Sequence, residues 1–98
     1  MNSQDAIAIL RHHADELRAR GVRHAALFGS VARGESDAES DIDILIELAP
    51  DAGLDLWAYA GLKSYVAGLF TGPVDVVDLD AMKPYVRGPA TADAIYAF

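Results

Sequence analysis

With 98 residues and 52% hydrophobic content, the chain is long enough for one small domain with a core, residues 1–98, and a domain of that size is marginal enough for a partner to help hold it. Eight lysines and arginines against fifteen aspartates and glutamates give a net charge of -7, which opposes the counterion release that drives nucleic-acid binding, so a DNA or RNA substrate is disfavoured. The absence of cysteine excludes disulfides, thiolate metal sites and cysteine nucleophiles. Met1 to Asp5 lacks a signal-peptide layout and no apolar run approaches the ~20 residues of a membrane span, so the chain reads as cytoplasmic with no membrane partner.

The spacing of Ile7, Leu10, Ala14 and Leu17 predicts one amphipathic helix from about Gln4 to Arg20, with Ser3 as N-cap and Gly21 past its end. His12 and His13 fall off that stripe. Val22 to Phe28 is short, mostly apolar and bounded by glycine, which predicts a buried strand running directly into Gly29-Ser30. Residues 31–40 read as a polar connection with one helical turn. From Asp41 to Leu48, isoleucine at 42, 44 and 46 gives a period-two strand with the acidic residues 41, 43 and 47 on its other face.

A second helix is expected over Leu54 to Leu69, where Leu54, Trp57, Gly61, Leu62, Tyr65 and Leu69 fall at helical spacing. Gly72-Pro73 ends it. Val74 to Leu79 reads as a third strand, Asp75 and Val77 on one face and Val74, Val76 and Asp78 on the other. Lys83-Pro84 and Gly88-Pro89 punctuate the chain, and Thr91 to Phe98 is expected to form a short helix with Ile95 and Phe98 on the core.

Side chains two residues apart on a strand share a face about 7 Å apart, so Asp41 and Asp43 point the same way and suit hard cations between them. Asp75, on a neighbouring strand, is positioned to complete one ion's shell and to help activate an attacking hydroxyl. A glycine at position 29 lets the backbone approach a triphosphate, Ser30 can donate to it, and Arg33 is within reach of the same phosphates. This set suits phosphoryl or nucleotidyl transfer, which needs positioning and charge neutralisation, commonly by two Mg²⁺ ions. A calcium loop counted from Asp37 fails, because Ile42 stands where glycine is needed and Leu48 where glutamate is needed. No Walker lysine follows Gly29-Ser30. Asp78 and Asp80 rival Asp75, and the histidines share no metal-ligand spacing with the aspartates. Trp57, Tyr59 and Tyr65 read as helix packing or partner surface rather than a base-stacking platform.

The ordered set Gly29-Ser30-Val31-Ala32-Arg33-Gly34-Glu35, Ser40-Asp41-Ile42-Asp43-Ile44-Leu45-Ile46 and Val74-Asp75-Val76-Val77 resembles the minimal nucleotidyltransferases of the polymerase-β superfamily, over nearly the whole chain. The resemblance implies an α/β fold, a small mixed sheet flanked by helices like a polymerase-β palm. It implies Asp41, Asp43 and Asp75 as catalytic metal ligands, Gly29 and Ser30 at the nucleotide phosphates, Mg²⁺ as cofactor and ATP as substrate. Known minimal members are antitoxins paired with HEPN-domain ribonuclease toxins, some of which they modify by transferring AMP to a tyrosine. The expectation is therefore an antitoxin that adenylylates a HEPN-type partner. A non-catalytic antitoxin acting by contact alone is the alternative, and transfer to a small molecule a third possibility.

Overall fold

The computed structural model describes residues 2–34 and 41–98, apart from the side chains of Ser30 and Ala90. In chain order the elements are α1 (Ser3–His12), α2 (Ala14–Ala19), β1 (Val22–Phe28), α3 (Gly29–Ala32), β2 (Ile42–Leu48), α4 (Leu56–Gly68), β3 (Val74–Asp78), a 3-10 turn (Leu79–Ala81), α5 (Pro84–Ala92) and β4 (Ile95–Tyr96). The four strands form one mixed sheet in the order β3-β2-β1-β4. β1 runs antiparallel to β2 and to β4, whereas β2 and β3 are parallel, with α4 on the connection between them. This is the small mixed sheet with flanking helices that the family resemblance implies.

Alternation along the strands makes one face of the sheet the core. Ala25 and Leu27 of β1, Ile42, Ile44 and Ile46 of β2 and Val76 of β3 are buried in one cluster with Ala6, Ile7, Leu10 and Leu17 of α1 and α2, and with Leu62 and Val66 of α4. Pointing the other way, Ala26 and Leu45 are also buried, so the second face is apolar near the sheet centre and acidic toward Asp43.

Several local expectations are corrected. The first helical segment is two helices broken at His13, and its N-cap is Asn2, whose Oδ1 accepts from the Asp5 amide at 2.8 Å, rather than Ser3. In α4 the buried face is Leu62 and Val66. Trp57 lies off it, 84% exposed beside a 78% exposed Leu56. A nearly uniform apolar helix has no single stripe that spacing alone can pick out, so Trp57 reads equally well on either side.

The tail after Thr91 is strand rather than helix: Ala26 pairs with Tyr96 and Leu27 with Ile95, and the Ala97 amide donates to the Ala25 carbonyl at 2.8 Å. Ile95 is partly exposed and Ala97 takes the buried position. Pairing there satisfies the open edge of β1, which outweighs the local helical preference. The helix lies one segment earlier, in α5, which contains Pro89 and Gly88. Proline at its first position is pre-set for helix, and Arg87 secures the helix entry by donating from Nε to the Leu79 and Met82 carbonyls, 3.1 Å each, and from its terminal nitrogen to the Asp80 carbonyl at 3.0 Å.

Gly61, inside α4, has nothing within 4 Å of where a Cβ would stand. Gly61→Ala is expected to stabilise the protein by about 0.5–1 kcal/mol through helix propensity alone, measured by urea denaturation. A loss of stability would show that the bare backbone of α4 is needed at that point.

Candidate active site

The site grows from the end of β1. Apolar residues carry that strand to Phe28, where the backbone turns at Gly29 with φ +76°, a left-handed conformation that costs any residue with a Cβ about 1–2 kcal/mol. Gly29 is also crowded. A Cβ there would collide with the Asp43 carboxylate and stand 3.1 Å from its Cγ. The cause is register, because Phe28 pairs directly with Asp43 across the β1–β2 ladder. Glycine at this position therefore does something the residue pattern did not indicate: it makes room for a carboxylate.

After the turn the chain enters α3, a single helical turn held down by Val31, 2% exposed. Its N-cap is Phe28, and no side chain caps its first amides. The Ser30 backbone lies in this turn; its side chain, expected at the phosphates, lies outside the described residues, as do residues 35–40 of the predicted polar connection.

β2 and β3 bring the carboxylates together. In the parallel ladder Asp43 pairs with Asp75 and Ile42 with Val74, and the Ile42 amide donates to the Pro73 carbonyl at 3.0 Å, which holds the strand starts level. Asp41 immediately precedes β2 and is exposed, as is Asp75, whereas Asp43 is half-buried. The Asp43 carboxyl is pushed above the ordinary carboxylate range, first by burial, then by the negative charges of Asp75 and Asp41, with the Arg33 guanidinium pulling the other way. Asp41, Asp43, Asp75 and Arg33 therefore share one electrostatic neighbourhood.

Among the described residues, no three histidine or acidic side chains are gathered closely enough to hold a metal ion. Three like charges at the end of one sheet repel, and the two exposed members, Asp41 and Asp75, are free of packing that would force them inward. The donor set nevertheless fits a hard divalent cation, being all carboxylate oxygen on adjacent backbone positions.

The rival carboxylate Asp78 has another occupation. It pairs with Ile46 rather than with an acidic residue, and its side chain accepts from the Asp80 amide at 3.0 Å to start the 3-10 turn. His24 lies beside Phe98 and Glu47, and His13 beside Tyr65, so neither joins the carboxylates.

Arg33, expected near the phosphates, lies 3.6 Å from Asp93 at the end of α5. Its exposed side chain bridges α3 and α5 across a cleft of about 430 Å³, lined by Phe28, Gly29, Tyr85, Val86 and Pro89 besides the ion pair. Asp93 and Tyr85 were not anticipated, because Gly88-Pro89 conceals the helix that presents them. A larger cleft of about 660 Å³ lies between α1 and Ile95, and neither cleft is lined by Asp41, Asp43 or Asp75.

A model of the nucleotidyltransferase domain family matches residues 10–97. A candidate protein adenylyltransferase of Methanocaldococcus jannaschii is 37% identical over 90 residues, covering 90% of each chain. The protein adenylyltransferase MntA of Thermococcus cleftensis is 33% identical over 90 residues, 91% of this chain and 89% of its own. Among solved structures, a minimal nucleotidyltransferase is similar with a TM-score of 0.79 at 30% identity, covering 97% of this chain and 95% of that one. A chain of a toxin–antitoxin structure containing AMP-PNP is similar with a TM-score of 0.69 at 25% identity, covering 90% of this chain and 72% of its own.

Two expectations follow from the geometry. Gly29→Ala combines a strained φ with a collision against Asp43, so it is expected to lose at least about 1 kcal/mol of stability in urea denaturation. An unchanged midpoint would mean that the turn relaxes freely. For Asp43, the folded-state value is raised, so its contribution to stability is present below the ordinary carboxylate value near 4 and is lost as pH rises through the folded value. Asp43→Asn should therefore raise the metal-free melting temperature at pH 7, with the gain closing as pH falls to about 4 and shrinking with added salt. A lower melting temperature at pH 7 would show that the carboxylate holds the fold together.

Proposed function

Because the chain belongs to the nucleotidyltransferase domain family, we propose that it is a Mg²⁺-dependent protein adenylyltransferase that moves AMP from ATP to a tyrosine of a HEPN-type toxin, acting as its antitoxin. The observation that carries this reading is the β2–β3 register, which sets Asp43 against Asp75 with Asp41 two residues away and the Gly29 backbone against the Asp43 carboxylate. Relatives named as protein adenylyltransferases support the reaction, and the toxin–antitoxin neighbour containing AMP-PNP supports both the nucleotide and the kind of partner. The described residues contain no helix long and apolar enough to cross a membrane.

In this reading Asp41 and Asp43 hold the divalent cations and Asp75 completes the set. When bound, the metal supplies neutralisation of phosphate charge and polarisation of the reacting phosphorus. Gly29 and Ser30 present backbone amides and a hydroxyl to the triphosphate, with Arg33 as an additional cation. The tyrosine oxygen forms a bond to the α-phosphorus as the bond from that phosphorus to the bridging oxygen breaks, and pyrophosphate leaves with the electron pair. Asp75 would take the tyrosine proton, a role that its exposure on the edge strand supports. Asp43 works from a more enclosed position, where the bare backbone at Gly29 admits its carboxylate and the register directs it to the same space.

The test is mass spectrometry of the partner toxin after incubation with wild-type protein, ATP and Mg²⁺. A gain of about 329 Da per event on a tyrosine is expected, the mass of a transferred adenylyl group. Asp41→Asn and Asp75→Asn should give none, whereas Asp78→Asn, which alters only a turn cap, should retain transfer. An unmodified partner that is inhibited equally by wild type and Asp41→Asn would instead establish neutralisation by contact alone.

A further inference from the structure

The cleft that includes Gly29, which stands against the Asp43 carboxylate, is lined by two chemically different sets of residues. One is Gly29 with the Arg33–Asp93 ion pair; the other is Tyr85, Val86 and Pro89, with Phe28. Tyr85 is 75% exposed and Val86 40% exposed, so α5 leaves a large aromatic and a branched apolar side chain uncovered at the mouth of the cleft.

Tyr85, Val86 and Pro89 lie on α5. This helix follows β3, the strand that carries Asp75, through the 3-10 turn, and Arg87 donates to the Leu79, Asp80 and Met82 carbonyls along that connection. Pro84 and Pro89 restrict the backbone on either side of Tyr85 and Val86. Tyr85 thus stands on a helix tied by hydrogen bonds to the connection after the strand that carries Asp75. At about 430 Å³ the cleft falls within the range of small-molecule sites, about 300–1,000 Å³.

We infer that Tyr85, backed by Val86 and Pro89, is the surface on which the base of the nucleotide stacks, with the phosphates directed toward Gly29 and Arg33. This deepens the proposed nucleotidyl transfer and rests on it. The cleft joins the residues assigned to the triphosphate to the exposed aromatic wall, a continuity that neither the α1–Ile95 cleft nor the exposed Leu56-Trp57 pair of α4 has. Recognition is by the face of the base, since Phe28, Val86 and Pro89 offer no side-chain hydrogen bond to its edge.

Isothermal titration of the intact protein with Mg²⁺-ATP and, separately, with Mg²⁺-tripolyphosphate tests this. Tyr85→Ala is expected to weaken ATP binding about 5- to 150-fold, the range found when a stacking aromatic is removed, while tripolyphosphate affinity stays within twofold of wild type. Tyr85→Phe should restore ATP affinity, and circular dichroism melting should show all three proteins equally folded. Equal ATP affinity in wild type and Tyr85→Ala would overturn the base-stacking assignment and leave the proposed activity standing. An unchanged ATP affinity with a raised KM for the partner toxin would overturn it as well, making Tyr85 an acceptor contact. If wild-type protein binds neither ligand, the nucleotidyl-transfer reading itself fails and the stacking assignment falls with it.

Discussion

The arrangement depends on a single cross-strand constraint: Asp43 sits at the centre of two ladders, paired with Phe28 on one side and with Asp75 on the other. The first pairing brings the chain turn at Gly29 against the carboxylate, and the second brings a like charge beside it. Both are unfavourable in isolation. A side chain at residue 29 would collide, and burial together with two neighbouring negative charges raises the proton affinity of Asp43. The apolar face of the same strands, with Ile42, Ile44 and Ile46 buried against the helices, supplies the packing that holds this register. A one-residue slip would move the isoleucines out and the aspartates in, so the core enforces the geometry of the acidic face.

Arg33 and α5 form the counterpart to that acidic face. The guanidinium lowers the proton affinity of Asp43 and lies near Asp93, so one cation answers carboxylates on two elements. The cleft lined by this ion pair includes Gly29, which stands against the Asp43 carboxylate, and α5, which also lines it, is tied by the Arg87 bonds to the connection after β3. Fold and site are therefore coupled through the β3–α5 segment as well as through the sheet.

The parts of the fold legible in the residues were those with a strong period. β1, β2 and β3 were evident from short apolar or alternating runs bounded by glycine and proline, and the facing of Asp75 and Asp78 to opposite sides of β3 followed from alternation alone. What the local pattern concealed came from long-range pairing and mixed signals. Nothing local marks Ile95-Tyr96 as a strand, because its partner is β1, some seventy residues earlier. Gly88-Pro89 reads as a break, yet α5 continues through it, anchored by Arg87. The break at His13 hides in an uninterrupted helical period. Asp41, Asp43 and Gly29 were legible as a constellation, whereas the contact between Gly29 and the Asp43 carboxylate, and the involvement of Asp93 and Tyr85 in the cleft, depend on tertiary placement.

The β2–β3 register puts Asp43 beside Asp75 with Asp41 two residues away, and the proposed function requires that the three take a divalent cation there. Titration of isotope-labelled protein with Mn²⁺, read as paramagnetic broadening of backbone amide resonances, addresses it directly, because broadening reports distance from the bound ion regardless of activity. Amides of Gly29, Ile42, Asp43 and Asp75 are expected to broaden first and together, and Asp43→Asn to remove the effect. Early broadening centred instead on Asp15 and Glu16, or on Asp51 and Asp55, with the β2–β3 amides unaffected, would contradict it.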